Sequence, residues 1–399
     1  MTLNKMFSLS SLKNLSDLAR KRVAVAAYYF VPGVVFASWA SRIPDVKHLL
    51  HLGNGQLGTV LFAIPIGQLL MMTFSGILVS KFGSKKMLVL SEVLYAAVLF
   101  CIGSSQTVFH LILSLIGFGM MANLMNIATN TQACLVEKMY GRNIMSSFHG
   151  LWSLGGFSGG IIGAIFANTV LPIEAHFGTI LVMSLVVIAV GFKFLVNDAT
   201  AKAEEEDVPK FSFKTIDPVL FLLGLMGFAG MFCEGTVYDW SSVYFSSVVK
   251  PDEAFIRAGY VAGMGAMTLG RFLADGFVTK YGPSKVLKTC GALIVGGLWL
   301  AAALPYLIPA TLGFLLVGFG ISSSVPICYS IAGKLGTIKA SIAITIVSSI
   351  SFFGFLVGPP VIGWLSEATG LRIAISIAAC LGLMIAFVAG KVSKRVKDI

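Results

Sequence analysis

Gly76-Ile-Leu-Val-Ser-Lys-Phe-Gly-Ser-Lys-Lys86 and Asp275-Gly-Phe-Val-Thr-Lys-Tyr-Gly-Pro-Ser-Lys285 are two renderings of one polar loop, 199 residues apart in a chain of 399. At that offset Lys81 recurs as Lys280, Gly83 as Gly282, Gly155 as Gly354 and Gly159 as Gly358. Gly117-Phe-Gly recurs as Gly318-Phe-Gly at 201. Several matches near half the chain length mark an internal duplication. Around the loops lie apolar runs of about 20 residues, the length that crosses a bilayer as a helix. They fall near 23–41, 56–80, 87–104, 107–135, 146–168, 177–197, 217–247, 255–279, 285–304, 309–332, 340–366 and 371–392. Within lipid only helices and closed barrels satisfy their own backbone, and runs this long are helices.

The expectation is therefore an all-α polytopic membrane protein, with 12 transmembrane helices in two six-helix bundles running the same way. Residues 1–22 form an N-terminal segment, 23–197 the first bundle, 198–216 a polar linker, 217–392 the second bundle and 393–399 a tail. Leu9, Leu12, Leu15 and Leu18 recur at a spacing of three, which suits a helix lying on the membrane surface. Arg20-Lys21-Arg22 leads into a full-length span with no small-residue cleavage site, so the first helix is expected to be retained.

Composition agrees. Hydrophobic residues make up 56% of the chain and charged residues 12%, against about 45–50% and about 25% in a soluble domain. That excludes a soluble enzyme, and the six cysteines, scattered through apolar runs, have neither disulfide nor metal-ligand spacing. No cofactor is implied. The net charge of +11 raises the question of nucleic acid, which the charge distribution answers. If the N-terminus is cytoplasmic, 23 of the 29 Lys and Arg lie on that side and five on the other, with Arg271 inside a span. This positive-inside asymmetry predicts a multi-pass plasma-membrane protein, as in a bacterial inner membrane, with both termini cytoplasmic and no nucleic-acid partner.

The duplicated loop resembles the G-x-x-x-D-R-x-G-R-K loop of the major facilitator superfamily, with Ser80 in place of its acid. Four further stretches look like the MosC-like transporters, relatives of the fucose permeases. They are Ser38-Trp39-Ala-Ser-Arg42-Ile-Pro44, Asn130-Thr-Gln-Ala133, Ser147-Phe-His149-Gly-Leu-Trp152-Ser-Leu-Gly155-Gly156 and Glu234-Gly-Thr-Val-Tyr-Asp239-Trp240. The resemblance implies a monomeric secondary transporter of a small solute, and for that group an amino-inositol is a hint of substrate.

Polar residues inside spans are costly and point to function. Asn123, Asn126 and Asn130 share a helix face, which Glu137 continues, and carboxamides suit hydroxyl-rich or amide-bearing solutes. Tyr28, Trp39 and Arg42 share a face of span one; Arg42 is expected either to clamp a substrate or to pair with Asp45. Glu234, Tyr238 and Ser241 share a face of span seven, beside Asp239 and Trp240, with Gly235 able to open the helix. Glu234 is the first candidate for proton coupling, followed by Asp239 and Glu137. Ser322, Pro326 and Tyr329 are candidates for the second half of the cavity. Arg271 and Asp275, one turn apart, read as a cytoplasmic gate latch together with the Lys81 and Gly83 loop. His149 reads as a structural histidine or a switch, and Glu92 as a partner of loop lysines. The glycines at 155, 156, 159, 160 and 163 read as a packing face.

The lack of a G-x-x-x-x-G-K-[ST] loop leaves an ion gradient as the energy source, protons first. The leading function is secondary active transport of a small polar solute, sugar- or polyol-like with or without an amino group, by proton-coupled alternating access, symport first and with the direction left open. Proton-antiport export of amphipathic compounds is the alternative. A remote rival, an intramembrane serine hydrolase, rests on Gly156-Phe-Ser158-Gly-Gly160, but His149 lies nine residues from Ser158, about 13.5 Å along a helix.

Overall fold

A computed structural model describes residues 17–141, 144–198, 218–335 and 340–395. The surface helix expected near residues 7–18 falls mostly outside them, as does nearly all of the linker. The described chain is helical, with no strand among the described residues. Twelve long helices follow one another: α1 Asp17–Leu49, α2 Asn54–Phe82, α3 Ser84–Gly103, α4 Val108–Tyr140, α5 Met145–Ala167, α6 Ile173–Gly191, α7 Pro218–Val249, α8 Ala258–Tyr281, α9 Pro283–Ala303, α10 Leu307–Lys334, α11 Ala340–Thr369 and α12 from Leu371 to Arg395 with a break at Ala379. Among the described residues eleven of them are long and apolar enough to cross a membrane. The other is α8, which carries Arg271, Asp275 and Lys280 among many Gly and Ala. Its first half is largely buried among other helices, whereas Leu269, Phe272, Leu273 and Phe277 in the second half are exposed.

The tight turns fall where the repeated loop predicts. Gly83 (φ 84°) and Gly282 (φ 79°) both join a helix directly to the next, in a conformation that a side chain strains. Lys81 stands exposed there, its ammonium 5.4 Å from the Phe82 ring centre. The acid absent at Ser80 has a counterpart from elsewhere. Asp198, after α6, accepts from the backbone N–H groups of Ser84 (2.9 Å) and Lys85 (3.4 Å), capping α3. Gln132 of α4 completes the clasp, donating to Ser84 Oγ (2.7 Å) and Val196 O (2.8 Å) and accepting from Val196 N (2.9 Å).

The duplication is visible in packing. A Cβ on Gly119 would lie 1.9 Å from Ile64 O, and one on Gly318 would lie 2.2 Å from Gly263 O. Both partners are offset by 199, so the true counterpart of Gly318 is Gly119 rather than Gly117; the Gly-Phe-Gly match at 201 is a local coincidence. Gly155 likewise meets Phe30 O at 2.2 Å and Gly354 meets Phe228 O at 2.1 Å. Small residues thus let α1 touch α5, α2 touch α4, and their counterparts α7 touch α11 and α8 touch α10.

Between the two halves α5 packs along α8, and the start of α2 packs on the end of α11. The latter contact closes the face opposite the chain ends. Gly55 N donates to Glu367 Oε2 (3.0 Å), and Trp364 Nε1 donates to Thr59 Oγ1 (3.2 Å). Gly58 and Gly363 meet backbone to backbone: a Cβ on Gly58 would sit 2.8 Å from Pro359 O and 2.9 Å from Gly363 Cα. At the face that bears the chain ends, no comparably dense contact joins α4 to α10 or α11 among the described residues.

Gly58→Val is therefore expected to wedge the closed face apart while leaving each half folded. Spin labels at His51 and Ala368, in a background lacking the exposed Cys101, Cys134 and Cys380, should move to longer distances. An unchanged distribution would mean that this contact does not hold the closed face.

Candidate functional site

A cavity of about 240 Å³ opens toward the face of the chain ends, lined among others by Tyr28, Tyr29, Asn126, Asn130, His149, Trp152 and Arg271. It is small for a ligand site, where about 300–1,000 Å³ is usual for drug-sized molecules.

One wall is a polar ribbon. Tyr29 Oη donates to Asn130 Oδ1 (2.5 Å), and Asn130 Nδ2 donates to Asn126 Oδ1 (2.9 Å). The Tyr29 ring stacks on Phe148, centroids 5.5 Å apart, and meets His149 edge-on at 5.3 Å. Asn126 and His149 are exposed. Two of the three asparagines face the open space; Asn123 instead accepts from Ser75 Oγ at 2.7 Å and ties α4 to α2. Three residues on one helix face do not all reach the same neighbour, because the face spans a turn on which both a helix and a cavity border.

The opposing wall carries charge. Arg271 Nη2 lies 3.2 Å from Glu234 Oε1, and Arg271 Nη1 donates to Ser153 Oγ. Tyr238 Oη donates to the same Glu234 oxygen at 2.9 Å. The pair is partly shielded, with side-chain exposures of 24% for Arg271 and 13% for Glu234. Arg271 thus departs from the expected latch with Asp275, whose side chain lies outside the described residues. A residue two turns short of the loop reaches the central space, where a carboxylate of the facing helix meets it.

An aromatic roof covers the cavity. Around the buried Tyr238 ring stand Phe36 at 5.2 Å, Trp152 at 6.3 Å and Phe355 and Tyr260 each at 6.4 Å. Local widening of α7 helps to form it: Thr236–Trp240 is a π turn directly after Gly235, a deformation frequent at functional positions. Asp239 on that turn is buried, within electrostatic reach of Tyr260. Trp240 and Trp39 are fully buried with no partner for their indole N–H.

Arg42 lies beyond the roof rather than in the cavity. Its Nε is 3.0 Å from Asp45 Oδ2 without hydrogen-bond alignment. Arg257 of the second half donates from Nη2 to the same oxygen and from Nε to Ser41 O (3.1 Å). Two buried guanidiniums thus share one carboxylate across the closed face. The buried ring of His176 stands within their electrostatic reach, both its nitrogens unpartnered.

Other candidates are placed elsewhere. Glu137 Oε2 accepts from the N–H groups of Ile144 (2.7 Å) and Met145 (2.8 Å), so it caps the start of α5 and its charge is engaged there. Tyr329 joins the second-half apolar cluster with its hydroxyl near Ser351, and stands within electrostatic reach of Glu234. Ser322 lines a separate groove between α8, α9 and α10 instead of the central space. Glu92 is buried with no loop lysine beside it. Tyr29, Trp152, Ser153 and Arg257 had no individual signal in the sequence: each gains its meaning from a partner on another helix.

Comparison with known proteins follows the same lines. The family model described as Major Facilitator Superfamily matches residues 25–336. An uncharacterised MFS-type transporter of Yersinia pestis is 32% identical over 378 residues, covering 94% of this chain and 96% of that protein. The membrane protein MosC of Rhizobium meliloti is 29% identical over 371 residues, covering 91% of this chain and 88% of its own. Among solved structures, a variant of the nucleoside transporter NupG superposes with a TM-score of 0.74 at 14% identity, covering 93% of this chain and 99% of that one. A bacterial homologue of the human lysosomal transporter Spinster, inward-facing and unoccupied, gives 0.72 at 11% identity, covering 95% and 97%.

Proposed function

This chain belongs to the major facilitator superfamily and is a multi-pass membrane transporter rather than an enzyme, and from that premise we propose that it moves a small, sugar- or polyol-like solute in symport with protons. The observation that carries the reading is the cavity itself: a carboxamide ribbon on one wall faces an Arg271–Glu234 pair on the other, under an aromatic roof. Carboxamides offer donors and acceptors to hydroxyls. Tyr and Trp rings offer apolar faces to a sugar ring. An amino group on the solute would find Glu234.

Coupling follows from the pair. With Glu234 ionised, Arg271 is neutralised and held against α7. A proton on Glu234 cancels the attraction and releases Arg271 to the cavity. Ion pair and proton thus compete for one carboxylate, which is the minimum needed to link a proton to a rearrangement. Alternating access is the rocking of one half against the other about this site. In the orientation expected from the Lys and Arg distribution, the described state is open to the cytoplasm and closed outside by Gly58, Gly363 and the Arg42–Asp45–Arg257 cluster. A monomer in a bacterial inner membrane is the corresponding assembly, and the Lys81–Gly83 turn with its Asp198 clasp stiffens the cytoplasmic end.

A thermal-shift panel on purified protein tests the substrate class, with polyols, amino-polyols, hexoses, nucleosides and amphipathic cations. Polyols or hexoses should stabilise the protein. Tyr29→Phe removes the hydrogen bond that holds Asn130 and should weaken that binding by about 0.5–1.5 kcal/mol, or about twofold to twelvefold. Stabilisation by amphipathic cations alone would overturn the reading in favour of drug-type export.

A further inference from the structure

A groove of about 600 Å³ opens between α8, α9 and α10, apart from the central space. Its α8 wall runs from Gly270 to Tyr281, about 16 Å of helix, which is the depth of one leaflet in a hydrocarbon core of about 30 Å. Leu273, Phe277 and Tyr281 stand 52%, 49% and 47% exposed along it. In a spanning bundle such apolar side chains meet acyl chains. A Cβ on Gly270 would lie 2.4 Å from Ser322 Oγ, so α8 and α10 touch at the inner end of the groove.

The first half shows what closes such a space. At the offset of 199, Gly270 corresponds to Met71, Ala274 to Ser75, Ser322 to Asn123 and Ser323 to Leu124. Met71 and Leu124 are buried, and Ser75 Oγ donates to Asn123 Oδ1 at 2.7 Å, bridging α2 and α4. Every counterpart in the second half is smaller. The bridge is gone as well: Ala274 has no hydroxyl, and Ser322 Oγ donates to Phe319 O of its own helix at 2.7 Å. An apolar space left empty forfeits the contacts of its lining. Its open end is cationic. Lys285 lines it, is exposed and has no ion pair among the described residues. Lys280 Nζ stands 5.1 Å from the Tyr281 ring centre, and that ring stacks on Phe277 at 6.2 Å.

We propose that this groove binds one anionic phospholipid of the leaflet on the chain-end side, the cytoplasmic leaflet in the orientation expected above. One acyl chain lies along α8, ending at the Gly270–Ser322 contact. The phosphate meets Lys285 and Lys280 at the rim, where the Tyr281 hydroxyl is a further donor. An apolar slot one leaflet deep below a basic rim is the complement of an anionic lipid. A lipid without net charge fills the slot but leaves the lysines uncompensated. The site touches neither solute nor coupling proton, so it stands whether or not transport is proton-coupled. Its occupant braces the part of α8 that carries Arg271.

The test is native mass spectrometry of the full chain, titrated in detergent with phosphatidylglycerol or with phosphatidylcholine of identical acyl chains. One phosphatidylglycerol should stay bound under conditions that strip phosphatidylcholine. Lys285→Gln should weaken that retention about fivefold, the effect of one lysine at an anionic surface. Lys86→Gln, which removes the cation at the duplicated position where the groove is closed, should leave it unchanged. Ala274→Phe fills the groove and should abolish retention. Equal retention of the two lipids, equal effects of Lys285→Gln and Lys86→Gln, or undiminished retention in Ala274→Phe would each overturn the proposal. A dimer that Ala274→Phe dissociates would overturn it too, by giving the groove to a second copy of the chain. If Ala274→Phe does not fold, the comparison of lipids and the two lysine variants decide.

Discussion

Uphill accumulation of solute is lost in Glu234→Gln, whereas exchange of labelled for unlabelled solute continues. Gln keeps the shape of the side chain and can accept from Tyr238 and Arg271, so the wall of the cavity survives. It cannot bind and release a proton, so Arg271 faces a neutral side chain at every pH, as it would a protonated Glu234. Moving one charge through 100 mV supplies about 2.3 kcal/mol, which corresponds to an accumulation of about 40-fold at 1.4 kcal/mol per tenfold. That gradient should collapse to about onefold. Exchange needs no net proton movement and should stay within a few-fold of wild type. Measured in proteoliposomes with a solute from the binding panel, undiminished accumulation would move the coupling role to Asp239, the remaining buried acid of α7.

The second large effect concerns the closed face. Asp45→Asn leaves Arg42 and Arg257, with side-chain exposures of 6% and 1%, buried around a neutral amide. Removing one partner of a buried ion pair costs about 3–5 kcal/mol. Glu174 is within electrostatic reach of Arg42 and offsets part of that. States of one transporter commonly differ by a few kcal/mol, so the loss is large enough to reverse the preference. The arginines regain water when the face opens, and the outward-open state should become dominant. Labels at His51 and Ala368 should report a longer distance in Asp45→Asn than in wild type, and Asp45→Glu should restore the short one. A short distance in Asp45→Asn would mean that backbone contacts at Gly58 and Gly363 suffice for closure.

The architecture was legible because hydropathy and duplication are properties of single helices and of the chain as a whole. Helix length, loop glycines and the offset of 199 need no knowledge of neighbours, and all reappear in the helices and their packing. The site was legible in part. Asn126, Asn130, Tyr28, Glu234 and Tyr238 stood out as polar or aromatic groups in apolar runs, and they gather around one cavity and its roof. What the sequence could not carry was partnership. Arg271 sits one turn from Asp275 yet meets Glu234, 37 positions away. Glu137 looks like a buried acid until the start of α5 is seen to end on its oxygen. Asn123 and Asn126 differ by three positions on one face, but one borders Ser75 and the other open space. Arg257 is one of the five Lys and Arg placed on the non-cytoplasmic side, and nothing local shows that it crosses to Asp45.

Proton movement that accompanies solute movement is the most direct test of the account. Wild-type proteoliposomes in weak buffer, given the solute that the binding panel identifies, should alkalinise the side from which the solute enters, in fixed proportion to the solute taken up. Glu234→Gln should exchange solute with no pH change. Solute entry by the wild type without proton movement, at any pH tested, would contradict the central claim that the Glu234–Arg271 pair couples this cavity to a proton gradient.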